Sequence, residues 1–289
     1  MKKKLLFGRH TFVFKCALLA IASSFTAAPA SSAEAPTYDY DAATLGTQAP
    51  TSPLLSGYTY RSVRTYQVAI PVLVPLNQLQ AILPPGFVPV AAPSNSNAGT
   101  VTLSLFLDQR FQPTAGGPTY GPTSALLMST TAINYNLSTP RTELVFPMFE
   151  ASSDIDMLNA AFGPGAARQA NVKVKVEEDQ GMLHFSFNIE DSAIGFKFEA
   201  EATGPAAINT RTISDPVGLP FRALNGFTAN QAFRAASQSD TLTLPSTDAK
   251  VKIKAPGHYL QLKNGKLNIL GIGANVTFSR NVEFIVKFE

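Results

Sequence analysis

The chain has 289 residues, 45% of them apolar, with 23 basic and 20 acidic side chains and one cysteine, Cys16. Five basic residues (Lys2, Lys3, Lys4, Arg9 and Lys15) and no acidic one fall before residue 34, so the remainder carries 18 basic against 20 acidic groups, a net of −2. That balance excludes the electrostatic footprint of a nucleic-acid binder or of a protein held on an anionic membrane. A remainder with no cysteine and two histidines, His184 and His258, leaves no disulfide, no thiol chemistry and no multi-histidine metal site, and no cofactor is expected.

Residues 1–33 read as a secretory signal peptide. A basic start (Lys2, Lys3, Lys4, Arg9) precedes the apolar run from Cys16 to Ala22, and small residues lead up to Ala33. A spanning helix needs roughly 20 continuous apolar residues; here Lys15 interrupts the run and Ser23 and Ser24 dilute its end. The expectation is an exported protein, periplasmic or secreted, with no stable membrane insertion after cleavage. Residues 34–57, rich in Pro, Thr, Ser, Ala and Gly without hydrophobic period, read as an arm or linker. Residues 58–289 follow as one domain.

Along that domain, Leu76 to Leu83 has apolar residues at helical spacing and stops at Pro84-Pro85, the signature of a short helix. Ala92 to Gly99 and Gln112 to Thr123, rich in Pro, Gly, Ser and Thr, read as long loops. Between them Val101, Leu103, Leu105 and Leu107 alternate with Thr102, Ser104, Phe106 and Asp108. Strict alternation returns in a three-strand meander from Asn171 to Thr203, and again at Val282, Phe284, Val286 and Phe288. Ile155 to Phe162 and Phe221 to Ala235 are read as two further helices. The fold class is therefore mainly β (α+β): an antiparallel, cone-like or closed β-barrel with a few short helices, since closure removes exposed edges.

Tyr66 to Val72, reading Tyr-Gln-Val-Ala-Ile-Pro-Val, runs into Leu79 to Pro89, reading Leu-Gln-Ala-Ile-Leu-Pro-Pro-Gly-Phe-Val-Pro. This opening resembles the acetoacetate decarboxylase-like superfamily. Val101 to Leu107, Tyr120 to Tyr135, Ala161 to Val174 and Asn275 to Phe288 resemble later family segments in the same order. The likeness covers most of residues 60–289. It implies a cone-like or barrel-like sheet with a pocket inside, and an activity in which a lysine forms a Schiff base with a β-keto acid. Such an amine must be unprotonated, and an adjacent cation lowers its pKa. The stretch matching the family's Lys-Lys pair reads Gly163-Pro-Gly-Ala-Ala-Arg-Gln-Ala-Asn171 and contains no lysine. Arg168 stands where the second cation would be, and a guanidinium does not act as the nucleophile. The family's carboxylate on the second long strand falls near Ser104, its Tyr-x-Glu glutamate near Pro122 after Tyr120, and its arginine near Arg64.

These matches imply a pocket protein that binds, or acts by non-Schiff-base chemistry on, a small apolar or carboxylate-bearing molecule. Arg64, Ser104, Tyr120 and Arg168 are its pocket candidates; no catalytic residue is assigned, and oligomeric state is open. One alternative is a lyase or decarboxylase-like enzyme with a relocated group, for which Glu143, Glu150 and Lys197 are available, while Lys173 and Lys175 fall on the polar side of a strand. Another is a structural or cell-surface β protein without a ligand. Other motifs carry less. His184, Ser186 and Asn188 form a polar stripe on one strand, His258 sits at a turn, and Gly271-Ile-Gly lacks the helix a phosphate loop needs. A chain cut at Ala33 holds no cysteine, so thermal melts of the exported protein with and without dithiothreitol should overlay. A midpoint that drops on reduction would mean that the leader is retained and crosslinked through Cys16.

Overall fold

A computed structural model describes residues 60–113, 120–151, 167–191, 196–208, 210–214, 221–225, 228–262 and 265–288. The expected leader, the arm and the helix at Ile155 to Phe162 lie outside the described residues. In chain order the strands are β1 (Tyr60–Pro75), β2 (Phe87–Pro89), β3 (Ala91–Ala92), β4 (Asn95–Pro113), β5 (Tyr120–Asn134), β6 (Arg141–Ala151), β7 (Ala167–Gln169), β8 (Asn171–Asp179) and β9 (Met182–Asp191). They continue with β10 (Phe196–Pro205), β11 (Thr210–Ser214), β12 (Phe221–Asn225), β13 (Thr228–Pro245), β14 (Lys252–Lys254), β15 (Tyr259–Leu262), β16 (Gly265–Asn268), β17 (Gly271–Ile272) and β18 (Asn275–Phe288). One α-helix, α1 (Leu76–Ile82), follows β1. It ends as its sequence dictates: Leu83 precedes a proline and turns extended, at φ −85° and ψ 146°.

Hydrogen bonding joins β1 to β18, β18 to β13, β13 to β12, β12 to β6, β6 to β5, β5 to β4 and β4 back to β1. The sheet is thus a closed barrel of seven strands. Every step is antiparallel except β12 against β6, a short parallel pairing of Phe221, Arg222 and Ala223 with Leu144, Val145 and Phe146.

The meander forms as its alternation implies. β8, β9 and β10 pair in sequence, and β14 adds to β10, giving a separate four-stranded antiparallel sheet. Gln180 and Gly181, both at positive φ (50° and 75°), form the two-residue loop between the paired Asp179 and Met182. This is the mirror-image turn that matches strand twist. The apolar face of that sheet lies on the barrel. Phe185, Phe187, Ile189, Phe198 and Ala200 share one buried cluster with Val68, Ile70, Leu103, Leu105, Leu126, Met128 and Phe278. Phe185 meets Tyr66 edge-on at 5.9 Å and Phe278 at 5.6 Å between ring centroids.

Three expectations are corrected. Phe221 to Ala235 is not a helix but the hairpin of β12 and β13, in which Asn225 pairs with Thr228. Alanine favours a helix in isolation, but β13 is claimed by β18 along most of its length and β12 by β6. The Asn225-Gly226 step is itself a hairpin signal. Ala92 to Gly99 is likewise a tight β3–β4 hairpin rather than a long loop, with β4 already begun at Asn95. In the second expected loop, Gln112 and Pro113 belong to β4 and Tyr120 to Thr123 to β5.

Where β10 crosses the barrel, a Cβ at Gly204 would stand 2.8 Å from the ring of the fully buried Phe278. Gly204→Ala is expected to destabilise by about 1–3 kcal/mol, the range for overpacking. Gly271→Ala, with nothing within 4 Å of the added carbon, should stay within about 0.5 kcal/mol. Urea unfolding of the two variants compares them directly.

Candidate functional site

Closure gives every barrel strand an inner and an outer face. On β1 the residues Val68, Ile70 and Val72 point outward into the cluster shared with the four-stranded sheet, so Gln67, Ala69 and Pro71 point inward. The register carries that inner set around the barrel. Ala69 lies opposite Ser104 on β4 and Thr277 on β18, and Gln67 opposite Phe106 and Ser279. Leu127, Ala125 and Ser129 on β5 face Ser104, Phe106 and Thr102, and Thr123 continues the same alternation. Thr241 on β13 faces Ser279.

All of these residues are buried, and none of them is charged. Small and hydroxylated side chains predominate; Phe106, Leu127 and Gln67 are the large ones. Two hydroxyls stand out. Ser104 Oγ and Thr123 Oγ1, each on a residue 1% exposed, have no hydrogen-bond partner among the described residues. A buried polar group left in that state costs about 1–3 kcal/mol, and folded proteins rarely keep one without a use or an unseen partner.

Of the four residues singled out from the sequence, Ser104 is on this inner face. Arg64 occupies β1 opposite Val282, Tyr120 opens β5 opposite Phe111, and Arg168 sits in β7 opposite Glu150. Their side chains, and that of Glu150, lie outside the described residues. Thr123 was not singled out; its signal was the alternation with Ala125 and Leu127, which Pro122 obscures.

The relocated acids and bases fall elsewhere. Glu143 is fully buried but lies opposite Ala132, on the outer face that packs against Leu83 and Phe87. Its carboxylate accepts hydrogen bonds from Asn134 Nδ2 at 3.1 Å and from Arg141 Nε at 3.0 Å. Asn134 Oδ1 in turn accepts from the Asn136 amide, and Asn136 Nδ2 donates to Pro85 O. This network ties the β5–β6 turn to the Pro84–Phe87 segment, a structural task.

Lys173, Lys175 and Lys197 are on the solvent side of the four-stranded sheet. Lys197 pairs with Glu190 at 3.2 Å and with Glu199 at 3.8 Å, its side chain 50% exposed. The hydrogen bond and charge of Glu190, then the charge of Glu199, raise its pKa above the ordinary lysine value. An imine-forming amine needs the opposite shift. His184 is exposed on the same sheet face, its Nδ1 3.2 Å from Thr203 Oγ1 and its residue opposite Glu177 on β8, an open surface row with no enclosing pocket described around it. His258 is exposed in a one-turn 3-10 segment, and Gly271-Ile272 is a strand paired with β1. No cluster of metal-ligating side chains occurs among the described residues.

No family model matches the sequence, and no curated protein does. Among solved structures the chain is similar to the enduracididine biosynthesis enzyme MppR with HEPES buffer bound, at 12% identity and a TM-score of 0.47 over 80% of this chain and 86% of that one. It is similar to MppR complexed with pyruvate at 13% identity and a TM-score of 0.44, over 80% and 90% of the two chains. A third is an acetoacetate decarboxylase-like enzyme from Sphingomonas wittichii RW1, at 12% identity and a TM-score of 0.43 over 79% and 89%.

Incubation with acetoacetate followed by borohydride reduction should leave Lys173, Lys175 and Lys197 unmodified by mass spectrometry. An adduct on any of them would show that imine chemistry has moved to that lysine.

Proposed function

We propose that this is an exported barrel protein of the acetoacetate decarboxylase-like kind that takes a small molecule against its inner face and does not handle it through an imine. The observation that carries this reading is the pair of buried, unpartnered hydroxyls at Ser104 and Thr123. A barrel interior that served only as packing would be filled with apolar side chains in contact. Here the inner face keeps polar atoms for which the described protein supplies no partner, and a bound molecule would satisfy them. The leader supports export. The absence of lysine from Gly163 to Asn171 and the solvent-side placement of Lys173, Lys175 and Lys197 support the exclusion of imine chemistry. Arg64, Tyr120 and Arg168 are proposed as further contacts.

The test is ligand-observed NMR with a panel of small ketones, alcohols, diols and their carboxylate counterparts. At least one member should bind. Ser104→Leu, which fills the inner face, should abolish that binding while circular dichroism shows the β fold retained. Binding that persists undiminished in Ser104→Leu, or an entirely silent panel, would sink the reading. Alanine variants of Arg64, Tyr120 and Arg168 in the same assay report on those three contacts.

A further inference from the structure

We infer that β8 is the strand through which two copies of this chain pair, antiparallel about a two-fold axis at Val176, so that two four-stranded sheets become one continuous sheet. Among the described residues β8 is paired along one edge only, to β9. The outer strand on the other side of this sheet, β14, is 3 residues long. β8 runs for 9 residues in one unbroken register with β9, without proline or bulge. Of the devices that close an edge against other chains, it has only its lysines. The turn decides which peptide groups are free. Asp179 and Met182 flank a two-residue loop and so form a hydrogen-bonded pair. Alternation from there turns the peptide groups of Glu177, Lys175 and Lys173 toward β9, and those of Glu178, Val176, Val174 and Val172 toward the free edge.

Charge names the partner. Elsewhere in this sheet, charged side chains meet opposite charges on the neighbouring strand: Glu199 with Lys254 at 3.4 Å, Glu201 with Lys252 at 3.5 Å and Lys197 with Glu190 at 3.2 Å. On β8 they do not. Lys173, Lys175 and Glu177 stand opposite Asn188, Ser186 and His184. Lys175 reaches Glu177 along its own strand, at 2.7 Å, with the two side chains 67% and 57% exposed. The charged residues of this face, all exposed, come in the order Lys173, Lys175, Glu177, Asp179. That order is its own complement when the strand is reversed. With Val176 opposite Val176 of the second copy, Lys175 faces Glu177 and Lys173 faces Asp179 in both directions, and no like charges are opposed. Val176 then meets its twin as a hydrogen-bonded pair, which its outward peptide groups allow. An axis at Lys175 or at Glu177 sets that residue against its own copy, and an axis at Val174 sets Lys173 against Lys175. The contact is isologous, so it closes on a dimer.

Sedimentation equilibrium of the exported protein at low salt should show dimers with a dissociation constant of about 1–100 μM, as befits a small strand-on-strand contact. High salt should weaken them. Val176→Pro removes a peptide N–H from the free edge and none from the β8–β9 ladder, so this variant should keep its β circular dichroism spectrum and stay monomeric. Lys175→Glu and Glu177→Lys, each alone, oppose like charges on both sides of the axis and should raise the dissociation constant by at least about tenfold. Mixed in equal amounts, these two variants complement each other and should dimerise again, a rescue that misfolded chains could not give. A wild-type protein that stays monomeric at about 500 μM, above the expected range, would overturn the inference. Dimers indifferent to Val176→Pro use another surface and would overturn it too. Folded single variants that fail to pair on mixing would exclude the register about Val176, and with it the inference.

Discussion

Strand β1 is hydrogen-bonded along both edges, to β4 from Tyr60 to Pro75 and to β18 from Tyr60 to Ala69. Most of what is particular to this molecule depends on that double pairing. It converts a twisted sheet into a closed surface with an inside and an outside, and it leaves no free edge along the long strands. It also joins the first described strand of the chain to the last. Contacts so distant in sequence carry a larger loop-closure entropy than those of a hairpin. The four-stranded sheet has a different character. Its three consecutive strands are joined by short connections, and its apolar face is covered only when the barrel wall is present to receive it.

How much of this was legible in the sequence follows from which contacts are local. The meander, its turn at Gln180-Gly181 and helix α1 are written in neighbouring residues, and they fold as read. The hairpin of β12 and β13 depends on partners at Leu144 and Phe288, far along the chain, and its alanines suggest a helix until those partners are known. The alternation in β4 marks two faces correctly. It cannot say that both are buried, one under Phe185 and Phe187 and the other inside the barrel. Thr102 and Thr123 therefore look like a solvent face in the sequence and are an interior in the fold, and Ser104 stood out only through the family resemblance. Glu143 shows the reverse: a carboxylate available for chemistry on paper is fully committed to Asn134 and Arg141 in space.

Charge is distributed by the same partition. The outer face of the four-stranded sheet carries Lys175 beside Glu177, Lys197 beside Glu190, Lys252 beside Glu201 and Lys254 beside Glu199. These pairs are exposed and contribute little to stability individually; they keep that face soluble. The described inner face has hydroxyls and a carboxamide instead.

The single parallel step between β12 and β6 has a meaning that is arithmetic rather than chemical. Going once around a closed ring, each antiparallel neighbour reverses the direction of travel, and the direction must be restored on returning to the start. The number of reversals is therefore even. A ring of seven strands can be consistent only if an odd number of its steps are parallel, and this one has the minimum. The seam at Phe221 to Ala223 is thus not a local irregularity that substitutions could correct. Gaining or losing one strand would leave an even ring, in which a lone parallel step has no place: the seam would have to disappear or acquire a twin. Whether the strand number is odd and whether the seam is present are one property, and they can change only together.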